Sequence, residues 1–374
     1  MQWWEQYDPN EVSVNSTEVP DSWKVCVLEG VYFGGNDYGG MLGARISSIF
    51  VIGFVSTAVT LFPYCAKYVP RLRIPKYVYL FARYFGSGVI IATAFVHLLD
   101  PAYSNIGPNT CVGMTGKWTS FSWPPAIVLV TLFFTFLIDI ASAMWVEHKH
   151  GIVDDSKRDR VAELLVSGQA TVICSSMREQ TYEQSVVELD PGRKNLTICE
   201  CLDDDFKLDN GKEVKVQFAA FLVLEFGIIF HSVTIGINLG ACGTEFKTLY
   251  PVLVFHQSFE GLGIGARLSA IPFKEKDLVP YICGLAYGLV TPISIAIGLA
   301  VRTTYNGNSY TSNVVQGVMN SISAGILIYT GLVELLARDF IFDQECRRDK
   351  KKLLFMVVCT VAGAGIMALV GKWA

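Results

Sequence analysis

The stretch VFHQSFEGLGIG, residues 254–265, places three polar side chains inside a segment that otherwise resembles a membrane-spanning helix. His256 and Glu260 are four residues apart and Gln257 and Glu260 are three apart, so all three side chains share one face of a helix. A polar or ionisable residue inside a membrane span costs about 2.5–3.5 kcal/mol, so it requires a partner or a function. The pattern therefore indicates a functional helix.

A second polar group occurs one segment earlier, in FHSVTIG, residues 230–236. Imidazole and carboxylate groups are ligands that suit Zn²⁺, Fe²⁺ and Mn²⁺. We therefore predict that the two segments face each other and bind a divalent metal ion through His231, His256 and Glu260, with Gln257 assisting. The alternative is that these side chains only make interhelical hydrogen bonds. Four such residues in successive spans favour the metal site.

The composition predicts an all-α polytopic membrane protein. Of the 374 residues, 51% are hydrophobic and 17% are charged, against about a quarter charged in soluble domains. The net charge of −4 gives no reason to expect nucleic acid as a partner. A helix needs about 20 apolar residues to cross the bilayer. Eight segments meet this length, of which the fifth is the least apolar: 44–64, 78–99, 124–146, 216–239, 249–267, 279–301, 312–336 and 352–371.

Positively charged residues predict the orientation, because cytoplasmic connections carry an excess of Lys and Arg. They concentrate between the first two spans and between the last two, whereas residues 1–43 contain one Lys and seven acids. Both termini are therefore predicted to be extracellular. This gives an extracellular segment at 1–43, three spans in 44–146, a cytosolic loop at 147–215 that is largely disordered or weakly helical, and five spans in 216–374.

The outer side carries two predicted covalent features. Cys26 and Cys111 both fall there, where disulfides persist, and we predict that they pair. Cys242 is the other outer candidate, since connectivity cannot be deduced from sequence. Asn15 begins the sequon Asn15-Ser16-Thr17 and is a candidate for glycosylation.

Further polar groups are candidates for an ion pathway, each with a simpler alternative. His97 and Asp100 could attract a cation at an outer mouth or could be interfacial residues that meet water. Glu334 could be an exit ligand or could pair with a nearby Arg or Lys. Four residues of the cytosolic loop could acquire or sense metal, although charged runs in loops are usually only solvated: His148, His150, Cys199 and Cys201.

The two polar segments, HSVTIGINLG (231–240) and HQSFEGLGIGARL (256–268), resemble the signature helices of the ZIP (Zrt-, Irt-like protein) family of divalent-metal transporters. The resemblance covers nearly all of the membrane part, and TCVGMTGKW (110–118) resembles the fungal plasma-membrane branch. It implies eight helices in a 3+2+3 bundle, a homodimer and uptake toward the cytosol. It also implies that His231, His256 and Glu260 are primary ligands, that Gln257 is a further polar ligand, and that His97 and Glu334 lie near the outer entrance and the inner side.

Two departures from the family pattern limit this inference. Many relatives carry a glutamate four residues after the histidine of the first signature, whereas this chain has Ile235, so a second metal site is in doubt. Fungal relatives often have a His-rich cytosolic loop, whereas this loop has only His148 and His150.

We therefore expect a plasma-membrane zinc importer, with Fe²⁺ or Mn²⁺ as the alternative cargo. An enzyme is not expected, because neither a Walker A motif nor an H-E-x-x-H motif occurs. An intramembrane metalloenzyme is a weaker alternative, since a His/Glu pair can hold a catalytic zinc. A metal-sensing receptor that signals through residues 147–215 is compatible with transport.

Overall fold

The computed structural model describes residues 6–9, 13, 15–32, 34, 38–68, 75–150, 198–273, 277–304, 306–342 and 349–372. All regular secondary structure in these ranges is helical, as the composition predicts. Three elements are short: α1 (Asp21–Leu28), α4 (Asp100–Ile106) and a 3₁₀ turn (Gly116–Ser120). The long helices are α2 (Leu42–Tyr68), α3 (Lys76–Ala92), α5 (Trp123–His150), α6 (Ile198–Ala241), α7 (Phe246–Ala270), α8 (Val279–Ala300), α9 (Tyr310–Tyr329) and α10 (Lys350–Gly371).

Two π-helical segments extend the long helices. Thr93–Leu99 joins α3 to α4, and Thr330–Phe342 continues α9. The span predicted at 312–336 therefore runs past its predicted end. Segments of π-helix are rare and are frequently found at functional sites. The first of these carries His97.

Within the described residues, seven helices are long and apolar enough to cross a membrane, and they coincide with seven of the eight predicted spans. The seven are Leu42–Lys67, Tyr77–Ile106, Trp123–Ser142, Gln217–Ala241, Val279–Ala300, Tyr310–Ile341 and Lys350–Gly371. The long helix that falls outside this set is α7, the least apolar segment. Its polar side chains are nevertheless buried, including His256, Gln257 and Glu260. Other helices, rather than lipid, therefore surround these groups.

Helix α3 packs closely against α10 and α7, while α2 packs against α7 and α8. Glycines of α3 allow its backbone to come close to the backbones of α7 and α10. A methyl group added at Gly86 would overlap the backbone of Gly263 on α7, and one added at Gly88 would overlap the carbonyl of Thr360 on α10. Small residues at such contacts let helix backbones meet directly, which is the usual way helices pack in membranes.

The chain divides into two compact units, residues 1–137 with 220–374, and residues 138–219. In the second unit, the ends of α5 and α6 are helical over 138–150 and 198–219, where the hydroxyl of Ser142 donates to the Asp139 carbonyl at 2.9 Å. The loop predicted at 147–215 is thus helical at both ends, and 151–197 lie outside the described residues.

On the predicted outer side, Cys26 of α1 is bonded to Cys111, the pair expected from the sequence, whereas Cys242 is a free thiol. Both half-cystines are fully buried and pack with Val31. Glu29 accepts a hydrogen bond from the Cys111 backbone N–H at 2.9 Å. Burial raises the pKa of Glu29, and this hydrogen bond partly opposes the effect. The disulfide therefore sits in a small core of its own.

Candidate metal site

Three ligand atoms converge between α6 and α7. The Nε2 atoms of His231 and His256 are 3.2 Å apart, and Nε2 of His256 is 3.3 Å from Oε1 of Glu260. One atom from each residue lies within 4.8 Å of the other two, and all three residues are buried. These are the three primary ligands predicted from the sequence.

The distances suit a shared cation. Two donors bound to zinc at about 2.0–2.1 Å in tetrahedral geometry lie about 3.3–3.4 Å apart. A single imidazole nitrogen can make only one ordinary hydrogen bond, yet Nε2 of His256 has two polar neighbours. One metal ion between the three atoms would satisfy all of them and would neutralise the buried carboxylate.

The helix geometry explains why His256 and Glu260 meet. Residues four apart on a helix lie on the same face, so α7 presents both side chains to the same point. The Oε2 atom of Glu260 and the Nδ1 atom of His256 are buried without a hydrogen-bond partner among the described residues. Unpaired buried polar atoms are costly, and they cluster here.

Gln257 lies beside this group. Its amide nitrogen donates to the Thr291 hydroxyl on α8 at 2.6 Å, which leaves Oε1 buried without a hydrogen-bond partner in the described structure. An amide oxygen is a neutral hard ligand, so Gln257 can supply a further donor.

His97 approaches from α3, through its π-helical extension. Its ring centroid is 4.9 Å from that of His256, and its Nε2 lies 3.3 Å from the Met367 carbonyl. A cavity of about 270 Å³ is lined by His97, Asp100 and His231, and Asp100 is exposed at it. The two predicted entrance residues therefore share a cavity with one of the three ligands.

The same cavity is lined by Gln316 and Asn320 of α9. Ile235 also lines it and offers no ligand atom there, at the position where many relatives are expected to carry a glutamate.

A buried arginine anchors the C-terminal end of α6, the helix that carries His231. Arg45 of α2 is fully buried, and its guanidinium donates to the carbonyls of Leu239 at 3.0 Å, Gly240 at 3.2 Å and Cys242 at 2.6 Å. The last carbonyls of a helix have no partner within that helix, and a cation there also suits its dipole. Sequence reasoning missed this role of Arg45.

In the N-terminal half of α3, Arg83 shares the carboxylate of Asp339 with a second arginine. Asp339 is 2.8 Å from Arg83 and 3.9 Å from Arg267 of α7. Arg267 also donates to the Ser87 hydroxyl at 2.7 Å. Glu334 lies apart from the three ligand atoms and pairs with Arg338 one turn later, at 3.0 Å.

Five predicted residues remain. Asn15 is exposed, as its predicted glycosylation requires. Four loop candidates lie outside the residues whose side chains are described: His148, His150, Cys199 and Cys201.

The family model described as "ZIP Zinc transporter" matches residues 42–371. Zinc-regulated transporter 1 of Saccharomyces cerevisiae is 57% identical over 373 residues, which cover 100% of this chain and 98% of the relative. Zinc-regulated transporter 1 of Schizosaccharomyces pombe is 38% identical, covering 91% of this chain and 87% of that one. Zinc-regulated transporter 2 of S. cerevisiae is 33% identical, covering 91% and 96%. The chain therefore belongs to the ZIP zinc transporter family.

Proposed function

We propose that this protein imports Zn²⁺ into the cytosol and binds the ion between α6 and α7 through His231, His256 and Glu260. The observation that carries the proposal is the buried group of three ligand atoms within 4.8 Å of one another. The names of the relatives, zinc-regulated transporters, support zinc as the cargo. Gln257 assists as a neutral ligand, which suits a site that must release its ion.

The ion enters through the cavity next to α3. His97 and Asp100 line this cavity, and so does His231. A carboxylate at the mouth raises the local concentration of cations, and the imidazole of His97 offers a first nitrogen ligand. Glu334 is paired with Arg338, and this favours the structural role that the sequence left open over a role as exit ligand.

The proposed topology has eight spans in a 3+2+3 bundle, with α7 as the eighth. Burial of its polar side chains against neighbouring helices allows α7 to lie at membrane depth despite its lower hydropathy. Both termini and residues 1–43 are extracellular, 44–146 and 216–374 carry the spans, and 147–215 is cytosolic. A disulfide between Cys26 and Cys111 fits this orientation, because disulfides persist outside the cell.

The protein acts at the plasma membrane as a homodimer in this proposal. The names of the fungal relatives support that location, since regulated uptake from the medium takes place there. The candidates His148, His150, Cys199 and Cys201 would receive metal on the cytosolic side.

Fe²⁺ or Mn²⁺ is the alternative cargo, because imidazole and carboxylate ligands bind all three ions. The test is ⁶⁵Zn uptake by cells that express the protein, compared with cells that carry the empty vector, with excess Fe²⁺ or Mn²⁺ as competitors. Zinc uptake above the vector level that neither ion suppresses supports the proposal. Uptake of iron or manganese without uptake of zinc would show that the proposed cargo is wrong, while the proposed binding site would stand. If the cells took up none of the three ions above the vector level, the proposal would be overturned.

A further inference from the structure

We propose that Thr93 is a positioning residue for the metal ligand Glu260. The inference rests on the proposed function and adds a residue from outside the ligand-bearing helices. The Thr93 hydroxyl donates to Oε1 of Glu260 at 2.9 Å, and both residues are fully buried. Because a carboxylate oxygen can only accept, the direction of this hydrogen bond is fixed.

The contact belongs to an antiparallel register between α3, with its π-helical extension, and α7. Thr93 faces Glu260, and four residues later His97 faces His256, which is four residues earlier on α7. Further contacts between the two helices run in the same antiparallel direction away from the site. Tyr79 contacts Ser269 through their hydroxyl oxygens at 3.2 Å, and Ser87 contacts Arg267. The position of Thr93 is therefore set by a whole helix interface.

Thr93 differs from two other buried threonines, Thr330 and Thr360. Thr330 and Thr360 each donate to the carbonyl four residues earlier in their own helix, Ile326 at 2.9 Å and Met356 at 3.0 Å. This is the ordinary way in which a threonine hydroxyl is satisfied within a helix. Thr93 begins a π-helical segment and its hydroxyl donates across the interface instead.

The hydrogen bond from Thr93 fixes the orientation of the Glu260 carboxylate. With Oε1 held between Thr93 and Nε2 of His256, rotation of the carboxylate about its terminal bond is restricted. Oε1 is thereby kept beside Nε2 of His256, and Oε2, which has no hydrogen-bond partner among the described residues, is a second donor atom next to it. Hydrogen bonds of this kind, from a neighbour to a metal ligand, commonly change metal affinity by about 10–100-fold.

Thr93 lies on α3's extension, whereas the three ligands lie on α6 and α7. Any displacement of α3 along α7 removes the hydroxyl from Glu260. The geometry of the ligand carboxylate is thereby linked to the register of the two helices, and the carboxylate is oriented for binding in the arrangement described here.

The test compares Thr93→Val, which keeps the shape and removes the hydroxyl, with Thr93→Ser, which keeps the hydroxyl. Thr330→Val is the matched control, because it makes the same change at a buried threonine that bonds only within its own helix among the described contacts. The readout is the KM for ⁶⁵Zn uptake, with the amount of protein at the cell surface measured for each variant. Thr93→Ala replaces the valine variant if the latter does not reach the surface.

We expect Thr93→Val to raise the KM about tenfold, with the KM of Thr93→Ser and Thr330→Val within about twofold of wild type. An unchanged KM in Thr93→Val, or the same increase in Thr93→Ser, would overturn the positioning role. A wild-type protein that takes up no zinc would instead refute the proposed function, so the two failures are distinguishable.

Discussion

The Nε2 atoms of His231 and His256 lie 3.2 Å apart, although the residues are 25 positions apart in the chain and belong to different helices. Two imidazoles can approach this closely only if one donates to the other or if both bind a common cation. The carboxylate of Glu260 lies 3.3 Å from the same nitrogen of His256 and supplies the negative charge that a common cation requires. This arrangement underlies the proposed zinc site.

Arg45 is expected to be essential for the stability of the C-terminal end of α6. Replacing it by Met leaves at least three carbonyls without their donor, at a cost on the order of 3 kcal/mol or more. The midpoint of thermal unfolding in detergent should fall clearly. Arg338→Met is the control, because Arg338 is partly exposed and pairs with Glu334 in its own helix. Equal midpoints for the two variants would contradict the anchoring role.

The disulfide between Cys26 and Cys111 is expected to stabilise the outer segment. It closes a loop between residues 85 positions apart, and removal of such a bond typically costs about 2–5 kcal/mol. Replacing both cysteines by Ser should lower the midpoint of thermal unfolding under non-reducing conditions. Cys242→Ser, at a free cysteine, should leave it unchanged. If instead Cys242→Ser had the larger effect, the pairing would be wrong.

Asp339 is expected to matter more for stability than Glu334. Asp339→Asn leaves two largely buried guanidinium groups without their carboxylate, at a cost on the order of 3 kcal/mol. Glu334→Gln breaks a pair with Arg338 that is partly exposed, and should cost less than about 1 kcal/mol. Thermal unfolding of the two variants side by side checks the order. A larger effect of Glu334→Gln would show that the shared carboxylate is not a stabilising centre.

Local periodicity was sufficient to predict much of the candidate site. The four-residue spacing of His256 and Glu260 predicts a common face, and His231 in the preceding span supplies the third ligand. Hydropathy confirms seven spans, but it cannot by itself place α7, because that helix owes its burial to neighbouring helices rather than to apolar side chains.

The residues that sequence reasoning missed act across long separations. Thr93 meets Glu260 over 167 positions, and Arg45 meets Leu239 over 194. A threonine in an apolar helix has the same local pattern whether it bonds its own backbone or a ligand. Arg45 stands near the start of a span, where a cation is ordinary. Only the packing of the helices reveals either role. By contrast, Glu334 and Arg338 are four residues apart on one helix, so the sequence alone indicated their pairing as the alternative to an exit ligand.

The most direct test of the central claim is ⁶⁵Zn uptake by His256→Ala and Glu260→Gln at matched amounts of protein on the cell surface. Ser258→Ala is the control on the same helix, since its hydroxyl donates to the Val254 backbone at 2.6 Å and not to the site. We predict strong uptake by wild type and Ser258→Ala, and uptake near the vector background in both ligand variants. Uptake by His256→Ala and Glu260→Gln equal to that of wild type would contradict a transport site between α6 and α7.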